Sequence, residues 1–286
     1  MLWSRNPSRL IRNIEKLGKT NTEVVINTRD SASEEWGVSW CKNNNVTYHV
    51  TESDGTPATG KNSVLKVFLE SDNEYMVQVD GDDYLTPHGV ELYQLLAEHP
   101  CPPDMVVLYR QPALSKGGKI DFPFDKSRFT LDYDLLMEFF TTNKNYMLDR
   151  ETAHEWATDR LEFDDWMNRK MEDREFMCRM VFHSREVAEL MDYNNSLIVG
   201  EDTLQFLELK CLALQGKLNI LRRKEREDPT YIYDQTEDDS FMRKDYKFDW
   251  SWCKPLLREL KKVKNLPADF ARLPEFRDEQ WMNYKK

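Results

Sequence analysis

The first 110 residues alternate between stretches that read as strands and stretches that read as helices, and few architectures accommodate that rhythm. Leu10, Ile11, Ile14 and Leu17 share one helical face between Asn6-Pro7 and Gly18, a helix stop. Glu23 to Asn27 and Val46 to Val50 read as strands, and Gly60 to Leu69 returns to helical spacing with Val64, Leu65 and Phe68 inward. Tyr75 to Val79 is a third strand, and it runs directly into Asp80-Gly81-Asp82-Asp83. Thr86 then offers an N-cap and Pro87 a first helical position for a helix through Ala97, followed by a strand over Met105 to Tyr109. Such β and α units predict an α/β fold with a mostly parallel, doubly wound (Rossmann-like) sheet flanked by helices, which binds ligands at the carboxyl ends of its strands. The acidic turn sits at such an end.

Beyond residue 110 the pattern changes. Residues 111–176 combine Pro- and aromatic-bearing loops with an acidic helical stretch containing Trp156 and Trp166, and read as a helical insertion or lid. Met177 to Phe182 is strand-like, Asp202 to Leu214 is helical, and Leu218 to Leu221 and Tyr231 to Tyr233 are short strands. From Trp250 onward, Lys254, Arg258, Lys261, Lys262 and Lys264 surround Leu256, Leu257 and Leu260, which predicts an amphipathic helix. The expected organisation is an α/β half over 1–110, the insertion over 111–176, the second half of the same domain over 177–240, and a helical tail over 241–286.

The chain carries 40 Lys and Arg against 51 Asp and Glu, a net charge of −11. That balance argues against coating nucleic acid or anionic lipid through the whole surface, while leaving local basic patches such as Arg222-Arg223-Lys224-Glu225-Arg226 free to do so. No apolar run approaches the ~18 residues of a spanning helix. Met1 to Pro7 lacks the layout of a secretory signal, so a cytoplasmic location is expected. The five cysteines are odd in number and far apart, which leaves neither a disulfide framework nor a Cys-x-x-Cys zinc site. They are expected to be reduced packing residues.

Three carboxylates within four positions raise one another's pKa unless a cation neutralises them. Oxygen ligands of this kind suit Mg²⁺ or Mn²⁺, which retain waters and bridge to a diphosphate. Taken alone, an Asp-x-Asp is more often a solvated turn, and Glu201-Asp202 more often an acidic pair meeting a helix dipole. His88 reads as a capping or surface residue, and Trp36 and Trp40, four apart, as packing a helix against the sheet.

The residues from about Ser4 to Ser240 resemble family-two glycosyltransferases of the GT-A fold. Tyr75 to Leu92 matches that family's strand, D-x-D-D, Pro and helix; Val24 to Ser33 resembles its base-contacting strand and turn around Asp30; Gly60-Lys61-Asn62 resembles its Ala-Arg-Asn stretch. Ser184-Arg185-Glu186-Val187 followed by Gly200-Glu201-Asp202-Thr203 resembles its last signature. The opening strand is cut to Leu2 to Asn6, Lys61 replaces an arginine, and the insertion has no counterpart.

The resemblance implies an inverting transfer from a nucleotide-diphospho-sugar, most readily a UDP-sugar, with Mn²⁺ or Mg²⁺ as cofactor. Asp82, with Asp80 or Asp83, would hold the metal; Ser4, Arg5, Asp30, Lys61, Asn62, Asp80 and Gly81 would bind the donor; Asp202 would be the catalytic base. Glu201, Trp156 and Trp166 would lie on the acceptor side. The acceptor is expected to be a hydroxymethylated base in phage-type DNA, where the basic strips would meet phosphates, or else a surface glycan. Metal-dependent nucleotidyl transfer shares the carboxylate cluster without needing Asp202, and a non-catalytic binding module would keep only the fold.

Overall fold

A computed structural model describes residues 1–3, 7–17, 22–81, 83–109, 113–114, 120–121, 177–197, 201–225, 228–234 and 273–278. In chain order the elements are β1 (Leu2–Trp3), α1 (Pro7–Leu17), β2 (Glu23–Ile26), α2 (Ser31–Asn44), β3 (Thr47–Val50), α3 (Pro57–Glu70), β4 (Tyr75–Val77), β5 (Tyr84–Leu85), α4 (Pro87–Ala97) and β6 (Met105–Tyr109). There follow β7 (Ala113–Leu114), β8 (Ile120–Asp121), β9 (Met177–Ser184), α5 (Arg185–Leu190), α6 (Glu201–Leu214), β10 (Ile220–Lys224), β11 (Tyr231–Asp234) and β12 (Glu275–Phe276).

The expected α/β architecture, a central sheet flanked by helices, is what these elements form. β1, β2 and β3 are parallel neighbours in that order. A second sheet runs β12-β10-β6-β9-β4, in which β9 is antiparallel to both β6 and β4 while the other strands share one direction. The two are stitched together where Leu2 N donates to Val79 O at 3.1 Å and Gln78 N donates to Val181 O at 2.9 Å. A small sheet, β5-β11-β7-β8, sits beside the acidic turn.

Local chemistry sets the helix starts. Asp30, Thr56 and Thr86 are N-caps whose side chains accept from Ala32 N, Thr59 N and Gly89 N, and Pro57 and Pro87 follow the two threonines. Thr86 also donates to Pro229 O at 2.6 Å, which fastens α4 to the chain before β11. Gly89 is needed there, because a Cβ would lie 2.4 Å from Thr230 O. Core packing follows the two-residue period of β6: Met105 and Val107 join a cluster with α3, α5 and α6, while Val106 and Leu108 join one with α4. A third cluster, Leu10, Ile14, Val24, Ile26, Cys41 and Val46, packs α1 and α2 on β2. Sheet strands covered on both faces read as continuous apolar runs, as β6 does.

Several expectations are corrected. Trp40 packs against the third cluster, but Trp36 is 45% exposed and does not wedge α2 against the sheet. Cys41 and Cys211 are buried thiols, whereas Cys101 is exposed. The basic run at 222–226 is not wholly free to act as a basic patch: Arg222 to Lys224 belong to β10, and Arg223 is buried in a fork to Asp278 at 2.6 and 2.8 Å and a contact with Glu225. Arg223 is thereby withdrawn from any phosphate surface. Residues 275–276, assigned to a helical tail, form a strand beside β10. The amphipathic helix around Leu256 and most of the 111–176 insertion lie outside the described residues. Among the described residues no helix is long and apolar enough to cross a membrane.

Two outcomes follow from this packing. Gly89→Ala should lower the urea-unfolding free energy by about 1–3 kcal/mol, since the obstacle is backbone rather than a side chain that can swing away. His183, fully buried in β9, has its pKa pushed down by burial to about 3 from 6.5. Between those values the unfolded chain takes up a proton that the native state refuses, so stability falls as pH drops below 6.5. Urea unfolding at pH 7.5 and pH 5 should show a smaller loss for His183→Leu than for the parent.

Candidate active site

The turn after β4 is built around a nearly buried cation. Arg179, from the antiparallel strand β9, ion-pairs with Asp80 Oδ2 and places Nη1 2.6 Å from Asp83 Oδ2. Its guanidinium lies 4.7 Å from the centroid of the Tyr231 ring. Tyr231 Oη donates to Asp83 Oδ2 at 2.9 Å and accepts from Asp80 N at 3.1 Å, and Asp234 N donates to Asp83 Oδ1 at 3.2 Å. Asp83 is fully buried, its backbone oxygen accepts from Asn13 Nδ2, and its N–H closes the turn on Asp80 O at 3.1 Å. Burial opposes the charge of Asp80, but Arg179 and Lys61 outweigh it and hold the carboxyl below its usual range. Arg179 shows the same contest: Asp80, Tyr231 and Asp83 raise its pKa despite desolvation.

A second cation joins this turn to the later acids. Lys61, on α3, places Nζ 2.7 Å from Glu201 Oε1 and 3.6 Å from Asp202 Oδ2, and 5.3 Å from the centroid of the Tyr193 ring. Desolvation pulls its pKa down, yet Asp202, Glu201 and Asp80 together raise it, so it stays charged. Glu201 opens α6 as a buried residue whose carboxyl is pushed up by burial against the pull of Lys61. Asp202 has a side chain 41% exposed, the accessible member of the pair. Lys61 thus pairs with both later acids, and its charge also acts on Asp80 in the distant motif.

Asn62 acts on the scaffold of this meeting. Its Nδ2 donates to Tyr193 O at 2.7 Å and its Oδ1 accepts from Tyr193 N at 2.8 Å, pinning the segment before α6 to α3. Both ends of its amide are therefore used within the protein. At the carboxyl ends of β2 and β3, Asn27 Nδ2 donates to Thr51 Oγ1, Glu52 O and Ser63 Oγ at 3.0, 2.9 and 3.2 Å. Asp30 is exposed and caps α2, and Arg29 lies against Gly55, whose φ of +88° requires glycine. Gly81 is buried in the acidic turn. Ser4, Arg5, Asp82, Trp156 and Trp166 lie outside the described residues.

The structure thus brings together Lys61, Asp80, Glu201 and Asp202, and places Asp30 at the neighbouring strand ends. Sequence reading missed Arg179, Tyr231, Tyr193 and Asn27. A lone arginine in the apolar run from Met177 to Phe182 was the available signal, because a charge in a buried strand demands a partner. Among the described residues no group of three or more His, Cys, Asp and Glu is arranged to hold a metal ion. Asp80 Oδ1, however, is buried without a hydrogen bond.

Comparisons fit this geometry at the level of fold. No protein-family model matches the chain, and no curated protein matches it in sequence. Among solved structures it is similar to S. aureus TarS 1-349 in complex with UDP-GlcNAc, at 13% identity and a TM-score of 0.50, over 92% of this chain and 66% of that one. S. aureus TarS 1-349 in complex with UDP matches at 14% identity and a TM-score of 0.46, over 80% of this chain and 56% of that one. The chain spans less than two-thirds of these neighbours' lengths. The first likeness shows a common mixed α/β fold.

Because Lys61 and Glu201 are both nearly buried, removing the Lys61 charge leaves Glu201 without its cation, whereas Lys61 keeps Asp202 if Glu201 is neutralised. Lys61→Met should cost about 3–5 kcal/mol, and Glu201→Gln added to it should recover part of that loss. Urea unfolding of the two single variants and the double variant gives the coupling directly.

Proposed function

We propose that the chain is a glycosyltransferase that moves a sugar from a nucleotide-diphospho-sugar, most readily a UDP-sugar, to an acceptor hydroxyl with inversion. The observation that carries this reading is Lys61, which pairs with Glu201 and Asp202 at 2.7 and 3.6 Å and whose charge also helps keep Asp80 ionised in the turn after β4. Support comes from the fold shared with TarS, whose structure contains UDP-GlcNAc. Departure of the nucleoside diphosphate needs positive charge, and attack by the acceptor needs a base.

Asp202 fits the base. It is the accessible acid of its pair, with Lys61 Nζ 3.6 Å from its Oδ2. Glu201 fits the role of holding Lys61, whose charge would face the donor diphosphate. A divalent metal fits the turn: the unsatisfied Asp80 Oδ1 offers an oxygen ligand, and Asp82 would supply another, with Mn²⁺ or Mg²⁺ stabilising the leaving diphosphate. Asp83, inward and hydrogen-bonded, serves better as the anchor of the turn than as a ligand. Asp30 and the Asn27-braced loop would frame the nucleotide base.

For the acceptor, a glycan hydroxyl is the better-supported class. The modified-DNA reading relied in part on Arg222 to Arg226 meeting phosphates, and Arg223 spends its guanidinium on Asp278 and Glu225.

The test is a panel of nucleotide-sugars with Mn²⁺, read first by thermal shift and then by release of nucleoside diphosphate. Asp202→Asn should lower kcat about 10³-fold or more while donor binding is preserved. If turnover survived in Asp202→Asn with cleavage between the phosphates, nucleotidyl transfer would replace this reading. A donor that binds without ever losing its sugar would instead make the chain a binding module.

A further inference from the structure

Arg179 holds an unusual position for a residue beside a proposed metal site. It comes from a different strand, is nearly buried, and spans the first and last acids of the turn, Asp80 and Asp83. Tyr231 stacks under the guanidinium and hydrogen-bonds Asp83 and the backbone of Asp80, so the fork is locked from below. Asp80 gives Oδ2 to Arg179 and retains Oδ1, which accepts no hydrogen bond.

We infer that Arg179 is an internal counter-cation that limits the turn's own affinity for a divalent metal, so that the metal binds firmly only when a nucleoside diphosphate adds its oxygens. This rests on the metal-dependent glycosyl-transfer reading and deepens it. A metal ligated by Asp80 Oδ1 would sit close to a fixed guanidinium that is bound to the other oxygen of the same carboxylate. The positive charge subtracts from the field of the acids and repels the ion in a partly desolvated site, where such effects exceed those in water. Arg179 also claims Asp80 Oδ2 and Asp83 Oδ2, which removes two oxygens from the available ligands. Mg²⁺ and Mn²⁺ characteristically complete a short protein ligand set with waters and substrate phosphates. The arginine still has a constructive task, since without it Asp80 and Asp83 would repel each other across the turn.

The test is Mn²⁺ binding to the full chain, by paramagnetic resonance of the free ion, with and without UDP. The parent should bind Mn²⁺ weakly alone and at least about tenfold more tightly with UDP. Arg179→Met, shown to be folded by its thermal melt, should bind Mn²⁺ alone about tenfold or more tightly than the parent, with the gain from UDP reduced. Arg179→Lys keeps the charge while losing the fork and should stay within about threefold of the parent for Mn²⁺ alone. A purely structural arginine predicts the opposite sign, with both variants binding Mn²⁺ no better than the parent because the turn has lost its brace. That result overturns the inference. The metal-alone measurement contains no donor, so its failure is distinct from a failure of the UDP-sugar reading, which would appear as absence of UDP-sugar binding in the parent.

Discussion

Negative charge that has been taken out of water must be answered by positive charge from the same molecule, and two side chains meet that demand here. Asp83 and Glu201 are buried and Asp80 is largely so, and burial opposes the charge of Asp80 and of Glu201. Arg179 answers the first two from β9, and Lys61 answers the third from α3 while sharing Asp202. Because the cations come from elements other than those carrying the acids, each ion pair is also a tertiary fastener. β9 is fixed to the turn after β4, and α3 to the start of α6. The geometry of the site and the docking of these elements are one problem with one solution.

The backbone placement follows the same logic at lower cost. Tyr231 and Asn62 each engage backbone groups: Tyr231 accepts from Asp80 N, and Asn62 pairs with both polar groups of Tyr193. Arg185 does likewise, crossing from α5 to donate to Leu69 O at 3.0 Å and Asn73 O at 2.9 Å at the end of α3. An arginine from a neighbour thereby takes up a carbonyl in the last turn of α3, where the helix itself supplies no partner. The Tyr231 and Asn62 bonds hold the loops at the sheet's carboxyl edge, and the Arg185 bonds hold the opposite edge, where the chain enters β4.

How much of this was readable in the sequence depended on range. Elements governed by neighbours a few residues away were legible: Thr86-Pro87 announced α4, the apolar period of Val64, Leu65 and Phe68 announced α3, and the strand before Asp80 was apparent from its β-branched residues. Very short strands such as β5 and β12 carry no period of their own and exist because a partner edge is present. The acids of the site were legible because clustered like charge is conspicuous. Their cations were harder, since Arg179 is a single charged letter in a strand and gains meaning only from the turn that β9 happens to flank. Arg223 misled in the other direction, because a basic run looks available to phosphates until Asp278 is seen to face it.

That last pairing bears on the order of events during synthesis. β10 is flanked on one side by β6, already made, and on the other by β12, which lies some distance ahead in the chain. Until Asp278 has left the ribosome, Arg223 has Glu225 as its only counter-ion among the described ion pairs, and one sheet edge stands uncovered. A nascent chain would therefore hold that margin of β10 open until β12 has emerged, and a two-residue strand with its charged latch then closes it.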